Sequence, residues 1–357
     1  MHSYSTELFA CTWRVSESLY LPHLPRDNPC PWQSLDVTFE LKTETPPVQW
    51  PADLAGACTH FASQQLALDD EDAILSAFGS TTALEFFLQC LRAASVPVGT
   101  RKRIAKLIVP LSKGQIVRSD IIPLRLIDCE AIESTSSFAS PLQAYPGLPI
   151  QIDQVSNPAE LFTAAAAGIL VQIGGSFEDL KTSSSIIETE LENRLSFPWI
   201  VPQAVTRKRL AIVEGSRVHP ANGGTGPNIY LAAKALGIDM VVLDNAGHWI
   251  EGDEYAHWRE GFIPMKLIEN PDADFTNRIV TSLQSYNKRI DGIVTFSEKF
   301  ASPVACAAQR LGLPTKAPEA YETATDKYKL SIFEGHQAYC ASSVDEALDL
   351  AAKEDLQ

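Results

Sequence analysis

Residues 209–245 read "RLAIVEGSRVHPANGGTGPNIYLAAKALGIDMVVLDN", and the order of local signals within them decides the fold class. The apolar run at 209–215 has the length of a strand. The glycine-rich "NGGTG" (222–226) follows, then a helical stretch opening at "GPN" (226–228), then a second apolar run at 239–245. Glycines carry no Cβ, so backbone N–H groups can approach a ligand, and the helix N-terminus behind them favours an anion. A plain βα turn has the same look, so the loop holds either a ligand or nothing.

The alternation continues towards the C-terminus. "DFTNRIVTSLQSYNKR" (274–289) reads as a helix, "IDGIVTFS" (290–297) as a strand and "KFASPVACAAQRLG" (299–312) as a helix. Strands alternating with helices predict parallel pairing through right-handed crossovers, hence an open, Rossmann-like α/β sheet. Ligands of such sheets sit at the carboxyl ends of the strands. Here those ends carry Glu214 with the glycine loop, Asp244 with Asn245, and Ser297 with Glu298. The stretch between Asn245 and the helix at 274 reads as a long polar loop.

Upstream of 209 the pattern is less regular. "LDVTFEL" (35–41) alternates like a strand, and the three prolines of "TETPPVQWP" (43–51) mark a loop. "LDDEDAILSAF" (68–78) opens a helix with acids in its first turn. In "STTALEFFLQCLRAASV" (80–96), Leu84, Phe87, Leu88 and Leu91 recur at helical spacing. "RKRIAKLIVPL" (101–111) reads as a solvated basic face leading into a buried strand. "IIPLRLIDCEAI" (121–132) reads as an irregular strand. Asn157 and Pro158 start a helix that ends at Gly168, before a buried strand from Ile169 to Ile173. "SSSIIETELENRL" (183–195) is a further helix, and "SFPWIVPQAVTRKR" (196–209) looks like a linker. These signals place an irregular α/β domain at 1–204.

Bulk properties set the class. A chain of 357 residues has room for two or three domains, and its 45% hydrophobic and 20% charged content is ordinary for a globular protein. A net charge of −15 argues against a nucleic-acid or anionic-membrane surface. The seven cysteines, Cys11, Cys30, Cys58, Cys90, Cys129, Cys306 and Cys340, are odd in number with no CxxC pair, which predicts free thiols in a reducing compartment. The N-terminus lacks a basic segment followed by an apolar run, and no apolar stretch has membrane-spanning length. A cytoplasmic protein is expected, and composition leaves a homo-oligomer open.

Several site readings compete. Asp244 stands about where a dinucleotide fold places its ribose-binding acid, so a dinucleotide-dependent Rossmann enzyme is one alternative. Against it, "NGGTGPN" is not GxGxxG, the loop is too long, and a proline sits at the helix start. "GHWIEGDEYAHW" (247–258) gathers His248, Glu251, Asp253, Glu254 and His257. It lacks HExxH spacing, and a polar surface loop anchored by Trp249 and Trp258 is the better reading. A non-catalytic binding module is the other alternative.

The order of segments in the C-terminal part carries a resemblance. "DGIVTFSEKFASPVACAAQRLGLPTKAPEAYETATDKYKL" runs strand, Glu298, helix, "LGLP" (311–314), spacer and "TATDKYKL" (323–330). This succession resembles the ATP-grasp superfamily, closest to its amino-acid ligases, the group that includes bacterial L-amino-acid ligases and carnosine synthase. The resemblance covers roughly 208–357. It implies a pre-ATP-grasp domain at 205–315 and the start of the ATP-grasp domain at 316–357.

Such enzymes join a small-molecule carboxylate to an amine, with ATP and Mg2+ as cofactors, through an acyl phosphate. The resemblance implies that Lys327 contacts ATP phosphate, with Lys329 as its neighbouring candidate. It implies that Glu298 faces the cleft, and that Gly223, Gly224, Thr225 and Gly226 face substrate or phosphate. The family's later strand, with a second lysine and the magnesium-binding acids, is not reached by residue 357. The chain therefore reads as a truncated front portion, inactive alone, with no metal ligands and no catalytic residues assigned.

Overall fold

The computed structural model describes residues 2–5, 9–16, 32–42, 71–95, 102–148, 150–173 and 176–354. The proline-rich 43–51 stretch, Cys30 and Cys58 lie outside the described residues. The chain separates into two compact units, Met1–Thr206 and Arg207–Gln357.

In the first unit the strands are β1 (His2–Ser5), β2 (Phe9–Val15), β3 (Trp32–Leu41), β4 (Lys102–Pro110), β5 (Gly114–Ile116), β6 (Ile132–Ser137), β7 (Ala144–Tyr145), β8 (Ala167–Val171) and β9 (Ile200–Val201). Six of them form a sheet in the order β1-β2-β3-β4-β8-β6, every pair antiparallel. The described helices are α1 (Glu71–Phe78), α2 (Thr81–Ser95), α3 (Ile121–Leu126), α4 (Pro158–Ala164) and α5 (Phe177–Arg194). Alternate side chains of a strand face opposite ways. Thus Val37, Phe39, Ala105 and Leu107 pack with Phe87, Leu88 and Leu91 of α2, whereas Trp32, Ile104 and Ile108 pack with Leu180, Ile187 and Leu191 of α5.

Local chemistry starts these helices. Asn157 accepts the Ala159 N–H and Glu160 reaches back in a capping box, while Ser176 and Asp179 do the same for α5.

Four readings are corrected in this unit. The basic stretch at 101–111 is not a solvated face: Arg103 and Lys106 are 4% and 1% exposed. Lys106 points at α5, where its Nζ donates to Asp36 Oδ1 (2.7 Å), Glu188 Oε2 (2.9 Å) and the Ser16 hydroxyl (3.2 Å). Arg103 donates to the Ala93 carbonyl in the last turn of α2, where the helix dipole favours a cation. Residues 121–126 are helical rather than extended. Pro123 falls in the first turn, where its missing N–H costs no intrahelical bond, and Leu124 N–H bonds the Asp120 carbonyl. The helix begun at Pro158 ends at Ala164, because Ala165 is already extended, and Gly168 belongs to β8. The apparent linker at 196–209 is partly core: Trp199 is fully buried and Ile200 pairs with Ile116.

The second unit is the parallel α/β sheet that the sequence predicts. Its strands are β10 (Lys208–Val213), β11 (Ile238–Asp244), β12 (Gly261–Pro264) and β13 (Gly292–Val294), in the order β12-β11-β10-β13, all parallel. Its helices are α6 (Gly226–Ala235), α7 (Phe275–Gln284), α8 (Glu298–Arg310), α9 (Pro318–Thr325), α10 (Lys327–Phe333) and α11 (Val344–Lys353). Ile212, Met240 and Val242 pack with Tyr230 and Ala233 of α6. Ala211, Val213, Val241 and Leu243 pack with Phe275 and Ile279 of α7 and with Phe300 and Val304 of α8. Both faces are covered, so strands that are apolar throughout fit. Strand β12 lies inside the stretch read as polar loop. At the opposite end of the sheet Glu260 is held by Arg209 and by Lys288 Nζ (2.7 Å).

Candidate functional site

The carboxyl end of the parallel sheet is built on one buried acid. Asp244, 4% exposed, accepts the Gly215 N–H at 2.8 Å and the Asn245 N–H at 2.7 Å, and His248 Nε2 stands 3.5 Å from it. This carboxylate is engaged inside the protein, which removes it as a ribose-binding acid. The turn after β10 is also no tight glycine turn: Glu214 and Ser216 have left-handed backbones at φ 69° and 88°. Such residues cost about 1–3 kcal/mol each and persist only when their surroundings hold them.

The hold is visible. The Ser216 carbonyl accepts the Trp249 indole N–H at 2.8 Å and bonds His248 Nε2 at 2.8 Å. The buried Tyr230 hydroxyl donates to the Gly215 carbonyl at 2.8 Å. Burial, with Asp244 nearby, pushes that phenol above its ordinary range, so it remains a donor.

Two histidines brace the same region in the same way. His219 Nδ1 accepts the Ala221 N–H at 3.1 Å, and His248 Nδ1 accepts the Ile250 N–H at 3.3 Å. Each Nδ1 being an acceptor, each Nε2 carries the proton: one meets the Tyr255 hydroxyl at 3.0 Å, the other the Ser216 carbonyl. Trp249, Tyr255, Trp258 and Tyr230 pack ring against ring around them. The 247–258 stretch is therefore an aromatic brace made of two short 3-10 helices, Trp249–Glu251 and Asp253–Trp258. Among the described residues no three His, Cys, Asp or Glu side chains form a group that could hold a metal ion.

The glycine loop divides into two kinds of position. A Cβ on Gly226 would lie 2.7 Å from the Ser216 side chain and 3.2 Å from Trp249, so glycine lets α6 approach the turn. A Cβ on Gly224 would lie 2.1 Å from the Val218 carbonyl. Gly223 is different: at φ 82° it is exposed and a Cβ would meet nothing. Thr225 is the exposed N-cap of α6 and makes no side-chain capping bond. Among the described residues no hydrogen bond reaches the N–H groups of Thr225 and Gly226, which leaves two donors at the helix start.

Strand β13 pairs with β10, so Glu298, exposed in the first turn of α8, shares this edge of the sheet with the loop. Lys327 stands elsewhere, exposed at the start of α10, and no hydrogen bond or ion pair joins it to Glu298 or the loop. Asp326 caps α10 by accepting the Tyr328 and Lys329 N–H groups, and Lys329 Nζ lies 3.7 Å from the same carboxylate. Lys327 itself is exposed. Sequence reasoning missed the bracing roles of His219, His248, Tyr230 and Tyr255. Only the apolar-aromatic content of 247–258 hints at them.

Comparison with known proteins finds ATP-grasp relatives. Residues 230–315 match the ATP-grasp N-terminal domain. The matched segment contains Glu298 and begins just after the glycine loop. A curated relative, the ATP-grasp enzyme fsqD of Aspergillus fumigatus, is 47% identical over 253 residues, which is 70% of this chain. The chain spans 44% of that relative's length. Among solved structures, the L-amino acid ligase from Bacillus licheniformis is similar at 23% identity over 37% of this chain and 31% of its own, with a TM-score of 0.28. Phosphoribosylglycinamide synthetase from Anaerococcus prevotii is similar at 16% identity over 42% of this chain and 43% of its own, also with a TM-score of 0.28. No helix among the described residues is long and apolar enough to cross a membrane.

Proposed function

We propose, on the premise that residues 230–315 are an ATP-grasp N-terminal domain, that this chain is the front portion of an ATP-dependent carboxylate–amine ligase. Residues 205–315 are its pre-ATP-grasp domain, and 316–357 begin the nucleotide-binding domain. In the reaction the terminal phosphoryl group of ATP passes to a carboxylate, and an amine displaces phosphate from the acyl phosphate. An amide or peptide bond, ADP and phosphate result. The observation that carries this reading is the family match, which runs through β11, α7, β13 and α8 up to the "LGLP" turn.

Within it, the unpaired N–H groups of the exposed Thr225 and the buried Gly226 and the acid Glu298 line the substrate edge. Lys327 serves as a point charge for phosphate, a task that suits a lysine on a flexible stem. A non-catalytic binding module has one observation in its favour: Ile332, Phe333, Val344 and Leu348 of α10 and α11 are 49–79% exposed.

The test is ADP release by the protein carrying these residues, given ATP, magnesium and matched panels of carboxylates and amines. Release that needs both partners, with an amide product by mass, is expected. No ATP-dependent coupling with any pair would overturn the proposal.

A further inference from the structure

The six-stranded sheet of the first unit ends on β6, whose far side no strand pairs among the described residues. Phe138, just past β6, donates to the Ala166 carbonyl on the β8 side. In an antiparallel ladder alternate residues turn their N–H and C=O to opposite sides. Ser136 and Ser134 therefore address β8, while Ser137 and Thr135 address the open edge. Among the described residues, no hydrogen bond reaches the backbone of 133–137 from outside the β6–β8 ladder. Such a row of open donors and acceptors is a template for one more strand.

A groove of 330 Å³ lies along this edge, between β6 and α3. Four consecutive strand residues, Ile132 to Thr135, line it. Consecutive side chains of a strand point to opposite faces of the sheet, so a groove that meets all four lies beside the strand and not over one face. The facing wall is apolar: Leu124 and Ile127 are 44% and 83% exposed. The charge is one-sided. Asp120, one acid of the groove, is paired with Arg118. Glu133, the other, sits at the irregularity in the β6–β8 register, where it has no residue opposite it, and is exposed. Among the described residues no cation pairs with Glu133.

We propose that this edge docks an extended segment of a partner protein, basic and aliphatic by turns, which adds a seventh strand beside β6. Backbone pairing with Thr135 and Ser137 supplies the register. An aliphatic side chain lies against Leu124 and Ile127, and a lysine or arginine meets Glu133. A second copy of this chain is the poorer occupant, because two chains of net charge −15 repel each other. The surface lies in the first unit and does not depend on the ligase reading.

The probe is a blocked hexapeptide of alternating lysine and valine. Its control is the same peptide N-methylated at every backbone nitrogen, which keeps the charge and the side chains but cannot donate to a strand. In calorimetry on the full chain, the parent peptide should bind about tenfold more tightly than the control. Amide exchange at Thr135 and Ser137 should slow with the parent alone. Glu133→Lys and Leu124→Asp, both at exposed positions, should each weaken the parent by about tenfold with an unchanged melting temperature. Equal binding of the two peptides, unaltered exchange at Thr135 and Ser137, or full binding in both variants would overturn the proposal. So would a dimer in ultracentrifugation that Thr135→Pro disperses, since it would give the edge to a second copy.

Discussion

Asp244 Oδ2 accepts the N–H of Gly215 at 2.8 Å, so the last residue of β11 ties down the turn that leaves its neighbour β10. The same carboxylate takes the Asn245 N–H with its other oxygen. Asp244→Asn turns one acceptor into a donor and leaves a buried N–H unpaired, which costs about 1–3 kcal/mol. Amide hydrogen exchange at Gly215 and Asn245 should accelerate accordingly. Tyr230→Phe, which removes only the bond to the Gly215 carbonyl, should cost about 0.5–1.5 kcal/mol on the same measurement.

The glycines of the loop should respond in a set order. Gly226→Ala drives a methyl against Ser216 and Trp249 and should cost about 1–3 kcal/mol in the thermal unfolding of the second unit. Gly223→Asn should be nearly neutral, because asparagine enters the left-handed region readily and the space is open. Equal effects at the two positions would contradict this packing.

Lys106 should behave as the keystone of a buried charge group. Burial pushes the Asp36 carboxyl up, but Lys106, Ser16 and Arg14 together take it below the usual aspartate range. A lowered folded-state pKa adds stability that is fully present above the unfolded value of about 3.9 and lost as pH falls through the folded one. Lys106→Ala leaves Asp36 and Glu188 buried together and should cost about 3–5 kcal/mol at neutral pH. Its pH dependence should also invert, with the variant gaining stability as acid neutralises the carboxyls. Chemical denaturation between pH 3 and 7, following the first unit, checks both.

Glu260 gives a second titration. Hydrogen bonding to Arg209, opposed by partial burial and aided by Lys288, brings its pKa down to about 2. Stability from this group is present above the unfolded value of about 4.3 and lost as pH falls towards 2. NMR titration of the side chain should show it ionised at pH 3, and Arg209→Gln should return it towards the ordinary glutamate range.

Nucleotide binding is the check on Lys327. In calorimetry with ATP and magnesium, weak binding is expected that Lys327→Ala abolishes and Lys329→Ala spares, since Lys329 already has Asp326 for a partner. Equal binding in all three proteins would remove Lys327 from the phosphate contact.

What the sequence discloses follows the range of the interactions. Helix α2, the Asn157 cap and the β10–α6–β11 unit rest on periodicity and caps within one segment, and all are legible. The burial of Lys106 is not, because its partners Asp36 and Glu188 lie 70 and 82 residues away. Trp199 hides in a proline-flanked stretch whose composition suggests a linker, yet its partners are on α5 and β5. Strand β12 is only four residues long and ends in proline, too short for its pattern to stand out from the loop around it. At the candidate site the glycines and Glu298 are legible by position along the chain. The His219–Tyr255 and His248 braces are not, because they join the loop after β10 to the one after β11.

The Lys106 group also bears on descent. One lysine serves two acids from separate elements, β3 and α5, so the lysine cannot be exchanged alone without stranding negative charge in the interior. Any lineage that sheds the lysine must pass through that intermediate or replace both acids with it. A first unit without the lysine should therefore lack the buried acids too, whereas one that keeps the lysine needs only one of them.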